Sequence, residues 1–196
     1  MIEKYRHPQI SSVGLVAWYK LWAGALDGKL FDYSLNGYEG EMVNGTGVSG
    51  ALTYPGIAFN GTDSELVITS GPSKVGTIII WIKPDAVTAE EIIDLNNVDF
   101  IDISAGDIAE TGFAGGTVVV YVDAVVGTVV DTEWHMVTLT DTVGKDASAG
   151  NMKIGNTAAT NLFDGKIGET MLYDRVLTPA EVKSIYELTK WRYTNY

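Results

Sequence analysis

The sequence predicts an all-β protein, a single domain of two packed antiparallel sheets with one short C-terminal helix. Three observations carry this. Runs rich in Val, Ile, Thr, Tyr and Trp recur between Gly-, Asn- and Ser-rich turns along almost the whole chain. The 196 residues include 22 glycines and contain no interdomain linker, a length that allows one substantial core. After Tyr173 the strand pattern switches to a complete helix start. Thr178 is placed as the N-cap, Pro179 at N1 where no amide hydrogen is needed, and Glu181 at N3 closes a capping box. Leu177 and Val182 stand at the staple positions, and Val182, Ile185, Tyr186 and Thr189 continue the stripe, so a helix is expected over 179–190.

Residues 1–12 are polar and read as an N-terminal arm ahead of a domain over 13–196. GLVAWYKL (14–21) is the first expected strand. Asp27-Gly28, Asn36-Gly37 and Asn44-Gly45 are turn dipeptides, with short strands expected at Lys29–Asp32 and Tyr38–Val43. Ile57–Asn60 and Glu65–Thr69 read as a hairpin across Asn60-Gly61-Thr62. GTIIIWIKP (76–84) reads as a central strand covered on both faces, with Ile78, Ile80 and Ile82 on one side and Ile79 and Trp81 on the other. Glu90–Leu95 and Val98–Ser104 form an expected pair around Asn96-Asn97, and Gly112–Gly116 reads as a loose connection. TVVVYVDA (117–124), EWHMVTLTDT (133–142) and MKIGN (152–156) are further strands, followed by the stretch Phe163–Tyr173.

A formal charge of −12 argues against nucleic acid or an anionic bilayer as the main partner. The acidity is concentrated, because Asp85–Asp141 contains no Lys or Arg. The absence of cysteine excludes disulfides, thiol nucleophiles and thiolate metal sites. The N-terminus has no apolar signal-like core, and the run TIIIWI is too short to span a membrane.

The order of these segments resembles the LamG-like jelly rolls of the concanavalin A-like lectin/glucanase superfamily. Asp32, Ser34, Asn36 and Gly37 match an early turn of that family; Trp81, Lys83 and Pro84 match a Trp-x-Lys-Pro strand; Trp134, His135 and Val137 match a Trp-His-x-Val strand. Phe163, Gly165, Ile167, Glu169, Tyr173, Arg175, Leu177 and Glu181 match the terminal segment. The resemblance covers about Val13 to Tyr186 and implies a concanavalin A-like jelly-roll sandwich. It also implies a module that binds carbohydrate or protein, often with calcium; some members cleave glycans, and similar domains occur in phage and viral structural proteins.

By that resemblance Asp32 is a calcium ligand. Its usual companion carboxylate falls where this chain has Gly168, leaving the adjacent Glu169 as the second candidate, on the opposite face of a regular strand. An Asx-turn explains Asp32 without a metal. For glycan contact, Trp22, Tyr33, Tyr38, Tyr54 and Tyr121 are the aromatic candidates, whereas Trp18, Trp81 and Trp134 read as core. Trp191, Tyr193 and Tyr196 read as packing of the last helix against a sheet edge or another subunit. The acidic pairs Glu91/Asp94 and Asp99/Asp102 have i, i+3 spacing, which places the members of each pair on opposite faces of a regular strand and does not make a glycosidase couple. His135 is the one histidine within the strand pattern and reads as structural or surface.

The expected function is therefore a non-enzymatic binding or structural module, such as a virion surface or appendage protein contacting glycans or neighbouring subunits. The alternatives are a calcium-dependent carbohydrate-binding module and a glycan-active hydrolase. Expected partners are subunits of a larger assembly, carbohydrate, or further copies of the chain, with neither nucleic acid nor membrane. The expected location is a virion or extracellular surface.

Overall fold

The computed structural model describes residues 10–23, 28–43, 54–156 and 162–194. In chain order the strands are β1 (Leu15–Tyr19), β2 (Lys29–Leu30), β3 (Gly40–Val43), β4 (Ile57–Asn60), β5 (Glu65–Thr69), β6 (Val75–Pro84) and β7 (Ala89–Asp94). They continue with β8 (Phe100–Ser104), β9 (Asp107–Thr111), β10 (Val118–Val122), β11 (Val125–Val126), β12 (His135–Lys145), β13 (Asn151–Ile154) and β14 (Asp164–Tyr173), before helix α1 (Pro179–Thr189). One seven-stranded antiparallel sheet has the order β1-β14-β6-β12-β10-β11, with β4 also paired to β14. The other runs β2-β3-β5-β13-β7-β8-β9. The expected all-β jelly-roll sandwich with a single C-terminal α-helix is what the chain forms.

Alternation along β6 creates two cores rather than one. Ile78, Ile80 and Ile82 join Ala17, Tyr19, Leu66, Ile93, Ile101, Val137 and Leu172 between the sheets. Ile79 and Trp81 face the other way, into a second cluster with Met136, Met171, Tyr173, Val182, Ile185 and Tyr193 under the C-terminal segment. Burying each of these large side chains contributes about 1.5–3 kcal/mol, so the helix is held by its apolar stripe more than by its own propensity. Its start follows the sequence closely: Thr178 is the N-cap and the capping box with Glu181 is present. Arg175 adds a fork onto Glu181, at 2.6 and 3.1 Å, which holds that carboxyl down at about 2.

Several expectations change. Ile57–Asn60 and Glu65–Thr69 are strands but not a hairpin: β4 pairs with β14 in one sheet, and β5 pairs with β3 and β13 in the other. The chain crosses between sheets at the Asn60 turn, where the Asn60 carboxamide oxygen accepts from the Thr62, Asp63 and Ser64 amides. β9 was not anticipated, because DIAET is polar; it is an edge strand whose exposed residues need no apolar pattern. The turn residues Asp27 and Asn44, the arm residues 1–9 and Tyr196 lie outside the described residues.

Two bulges decide which carboxylates face outward. Against β6, Ile167 pairs with Ile82 and Thr170 with Ile80, so Gly168 and Glu169 together oppose one residue. The bulge turns Glu169 to the outer face with Met171 and Tyr173. Between β7 and β8, Glu91 pairs with Asp102 and Asp94 with Phe100, with a register shift between Glu91 and Ile93. Asp102 and Phe100 alternate with core residues Ile101 and Ile103, so Glu91 and Asp94 both lie on the outer face. The expectation that Glu91 and Asp94 face opposite ways fails because the extra residue resets the alternation.

Candidate functional site: an aromatic and cationic edge

At the edge where β1 and β2 lie, two short segments converge. Trp18 lies near the end of β1, Lys20 follows it and Trp22 sits in a 3-10 turn over Leu21–Ala23, while Phe31-x-Tyr33 puts two aromatics on one side of buried Asp32. The Tyr33 amide donates to the Trp18 carbonyl at 2.8 Å, which locks the segments together. Phe31 and Tyr33 meet edge to face with ring centroids 5.2 Å apart, and Tyr33 meets Trp18 at 6.4 Å. The Lys20 ammonium sits 4.0 Å from the Trp18 ring centre, 4.3 Å from Tyr33 and 6.0 Å from Trp22. The Arg192 guanidinium lies 4.4 Å from the Trp22 ring and 4.9 Å from Trp191. Phe31 is 51% exposed, Tyr33 38% and Trp191 57%.

Glu169 anchors this edge from below. It is 1% exposed; its Oε1 accepts from the Trp18 indole at 2.7 Å and its Oε2 from Arg192 at 2.6 Å. Burial pushes its carboxyl up, with Arg192 the largest opposing influence. Burial likewise lowers the Lys20 ammonium. The Glu169 amide donates to the Tyr193 hydroxyl at 2.7 Å, and Tyr193 stacks on Trp81 at 4.2 Å. Gly168 makes room for that ring: a Cβ there would stand 2.5 Å from Tyr193 Cε1. The space at Gly168 is therefore filled by the chain's own Tyr193.

Asp32 is 1% exposed and acts as a turn organiser. Its Oδ1 accepts from the Trp18 and Ser34 amides at 3.0 and 2.9 Å, and its Oδ2 from the Ser34 hydroxyl and the Tyr38 amide at 2.8 and 3.2 Å. With both oxygens of Asp32 and both of Glu169 spent on protein donors, these residues do not fit a calcium ion. Among the described residues no group of three His, Cys, Asp or Glu side chains is arranged for a metal.

Of the aromatic candidates, Trp22 and Tyr33 belong to this edge. Tyr38 is half-buried against the inter-sheet core, and its carbonyl accepts from the Tyr19 hydroxyl at 2.7 Å. Tyr54 is 40% exposed ahead of β4. Tyr121 is 6% exposed within the second core, so its ring is packed away. Trp81 and Trp134 are core, but Trp18 is half-buried at the edge, contrary to its strand-core reading. Phe31, Lys20 and Arg192 were missed; the period-two spacing of Phe31 and Tyr33 and of Trp18 and Lys20 was the available signal. Of the C-terminal aromatics, Tyr193 packs on the face of the first sheet over Trp81 of the central strand β6 rather than at a sheet edge, and Trp191 stays exposed.

His135 is held by two carboxylates, Asp123 at 2.8 Å on Nδ1 and Asp131 at 3.0 Å on Nε2. The Asp123 bond is the largest influence raising its pKa above 6.5. The imidazolium is thus favoured by folding. Its contribution is complete below about pH 6.5 and is lost as pH rises through the higher folded value. Denaturation midpoints are expected to fall as pH rises above about 6.5 in the native chain, and this slope to flatten in His135→Gln. An equal slope in both proteins would refute the assignment.

No family model matches the chain, and no curated protein matches it in sequence. Solved structures with the same fold include domain 4 of an extracellular arabinanase from Geobacillus stearothermophilus in complex with arabinotriose, at 14% identity and TM-score 0.56, covering 90% of this chain and 100% of that one. Trypanosoma rangeli sialidase in complex with sialic acid matches at 12% identity and TM-score 0.58, over 92% of this chain but 34% of the sialidase. The botulinum neurotoxin serotype D binding domain matches at 12% identity and TM-score 0.55, over 91% of this chain and 51% of that domain. The two-sheet jelly-roll sandwich is thus a fold that this chain shares with the arabinanase domain, with part of the sialidase and with part of the neurotoxin binding domain.

Proposed function

We propose that this chain is a non-catalytic contact module that holds glycans at the β1/β2 edge and serves on a virion or other extracellular surface. The observation that carries this reading is the clustering of Trp18, Trp22, Phe31, Tyr33 and Trp191 around Lys20 and Arg192. Aromatic faces stack on the apolar faces of sugar rings, and Lys20 and Arg192 supply donors to hydroxyl or acidic groups. The arabinotriose in the structure of the arabinanase domain, and that domain's match over its full length, support a binding unit of this size.

The test is a glycan array followed by titration of the best ligand. Tyr33→Ala is expected to weaken binding at least about tenfold, roughly 1.4 kcal/mol, without changing the melting temperature by more than a few degrees. Equal affinity of Tyr33→Ala and native protein for every array ligand would overturn the site.

A second reading, contact with neighbouring subunits, rests on the far edge of the same sheet. Val125, Val126 and Val129 are 70%, 68% and 73% exposed around the β11 hairpin. Concentration-dependent association abolished by Val126→Lys would favour it.

A further inference from the structure

The two edges of the sandwich are complementary to each other. β1 and β2 end the sheets on one side, and β11 and β9 end them on the other. Bridges from Tyr19 to Asp32 and from Asp107 to Val129 close these two edges. At the far edge β11 pairs with β10 alone, and residues 128–130 then cross onto the other sheet. There the Ile108 amide donates to the Thr128 carbonyl at 2.7 Å and the Val130 amide to the Gly106 carbonyl at 2.9 Å. The crossing tucks Val130 inside and leaves Val125, Val126 and Val129 outside. Three branched apolar side chains thus stand where edges ordinarily carry charge.

The charge around those valines is negative. Asp107 and Glu110 on β9 and Asp131 after the crossing are exposed. Asp107 accepts from the Thr128 hydroxyl at 2.8 Å, a neutral donor that leaves its charge uncompensated. Of the cations that face Asp131, His135 also holds Asp123, and Lys83 pairs with Glu133 at 3.1 Å. The β1/β2 edge has the opposite character. Phe31, Tyr33 and Trp191 present exposed rings, and Lys20 and Arg192 outnumber Glu169, the buried carboxylate they meet.

Each edge therefore offers what the other lacks: rings with surplus cations on one side, branched aliphatics with surplus carboxylates on the other. An isologous contact at either edge would set like charges opposite each other, whereas a heterologous contact pairs them. We propose that the partner at the valine edge is the β1/β2 edge of a second copy of this chain, so that copies join head to tail into a string or ring. This names the partner in the subunit-contact reading and rests on that reading. A glycan on the same rings competes with the neighbouring copy for them.

Sedimentation velocity of the whole native chain over rising concentration is expected to show a mass that climbs beyond a dimer. Raising salt from about 0.05 to 0.5 M is expected to weaken the association about tenfold. Two variants block one edge each: Val126→Lys at the valine edge, and Phe31→Ala combined with Tyr33→Ala at the aromatic edge. All three positions are exposed, and melting curves check that both variants stay folded. Each variant alone is expected to associate at least tenfold more weakly than native protein. Mixed one to one, they keep a single native pair of edges between them and are expected to form a dimer and nothing larger. A native chain that stays monomeric, or whose association survives Val126→Lys, overturns both this inference and the subunit-contact reading. Association that Val126→Lys abolishes but mixing does not restore leaves that reading standing and overturns the head-to-tail partner. Native assembly that stops at a dimer, or that is unchanged in the Phe31 and Tyr33 double variant, does the same.

Discussion

Lys145→Met is expected to destabilise the fold by about 3 kcal/mol or more, the scale of stranding one member of a buried ion pair. The Lys145 ammonium donates to the Gly112 carbonyl at 2.8 Å and lies 3.8 Å from Asp99 Oδ1 and 3.9 Å from Asp141 Oδ2. It also packs over Phe113, 5.4 Å from the ring centre. One side chain thus ties the β7–β8 turn and the β9–β10 connection to β12. The Asp141 side chain is 0% exposed and its Oδ2 has no hydrogen bond, so without Lys145 its charge stays buried with nothing opposite. Gly116 shows how close the wall is: a Cβ there would stand 2.2 Å from Asp141 Oδ1. Adding Asp141→Asn to Lys145→Met removes the stranded charge and is expected to recover a large part of the loss. Urea denaturation of the native, single and double variants measures both. A single variant within about 0.5 kcal/mol of native, the ordinary surface range, would show that the ammonium is not a structural cation.

The second large effect is expected at Tyr193. Tyr193→Ala should cost about 3–5 kcal/mol, because a large aromatic ring leaves a cavity between Trp81, Trp134 and the Gly168 bulge. Tyr193→Phe keeps the ring but strands the Glu169 amide, and should cost about 1–3 kcal/mol. Gly168→Asp, which introduces the carboxylate carried by the jelly rolls this sequence resembles, is expected to unseat the ring rather than create a metal site, since the new Cβ meets Tyr193 at 2.5 Å. Melting curves of the three variants test this. If Gly168→Asp melts with native protein while Tyr193→Ala does not, the bulge and the ring are not coupled as described.

The parts of the fold legible in the sequence were those governed by local rules. The alternating isoleucines of β6 announced a strand covered on both faces, and Thr178, Pro179 and Glu181 announced where α1 begins. What escaped depended on partners far along the chain. A bulge is a mismatch between two strands, so neither Gly168 with Glu169 nor the extra residue after Glu91 has a signature in its own segment. Through these bulges the rule that i and i+3 face apart failed for Glu91 and Asp94. The aromatic edge was half legible: Trp22 and Tyr33 were candidates, while Trp18 carries the strand pattern of a core residue and only the distant Glu169 draws its indole to the rim. Arg192 could not be placed from sequence, because its role depends on a carboxylate 23 residues earlier in β14.

The most direct measurement is aromatic-ring NMR of the native chain titrated with its best array glycan. Stacking at the β1/β2 edge predicts that the rings of Trp18, Trp22, Phe31 and Tyr33 shift together and saturate with the same affinity. A glycan that binds while all four rings stay unmoved would contradict the account.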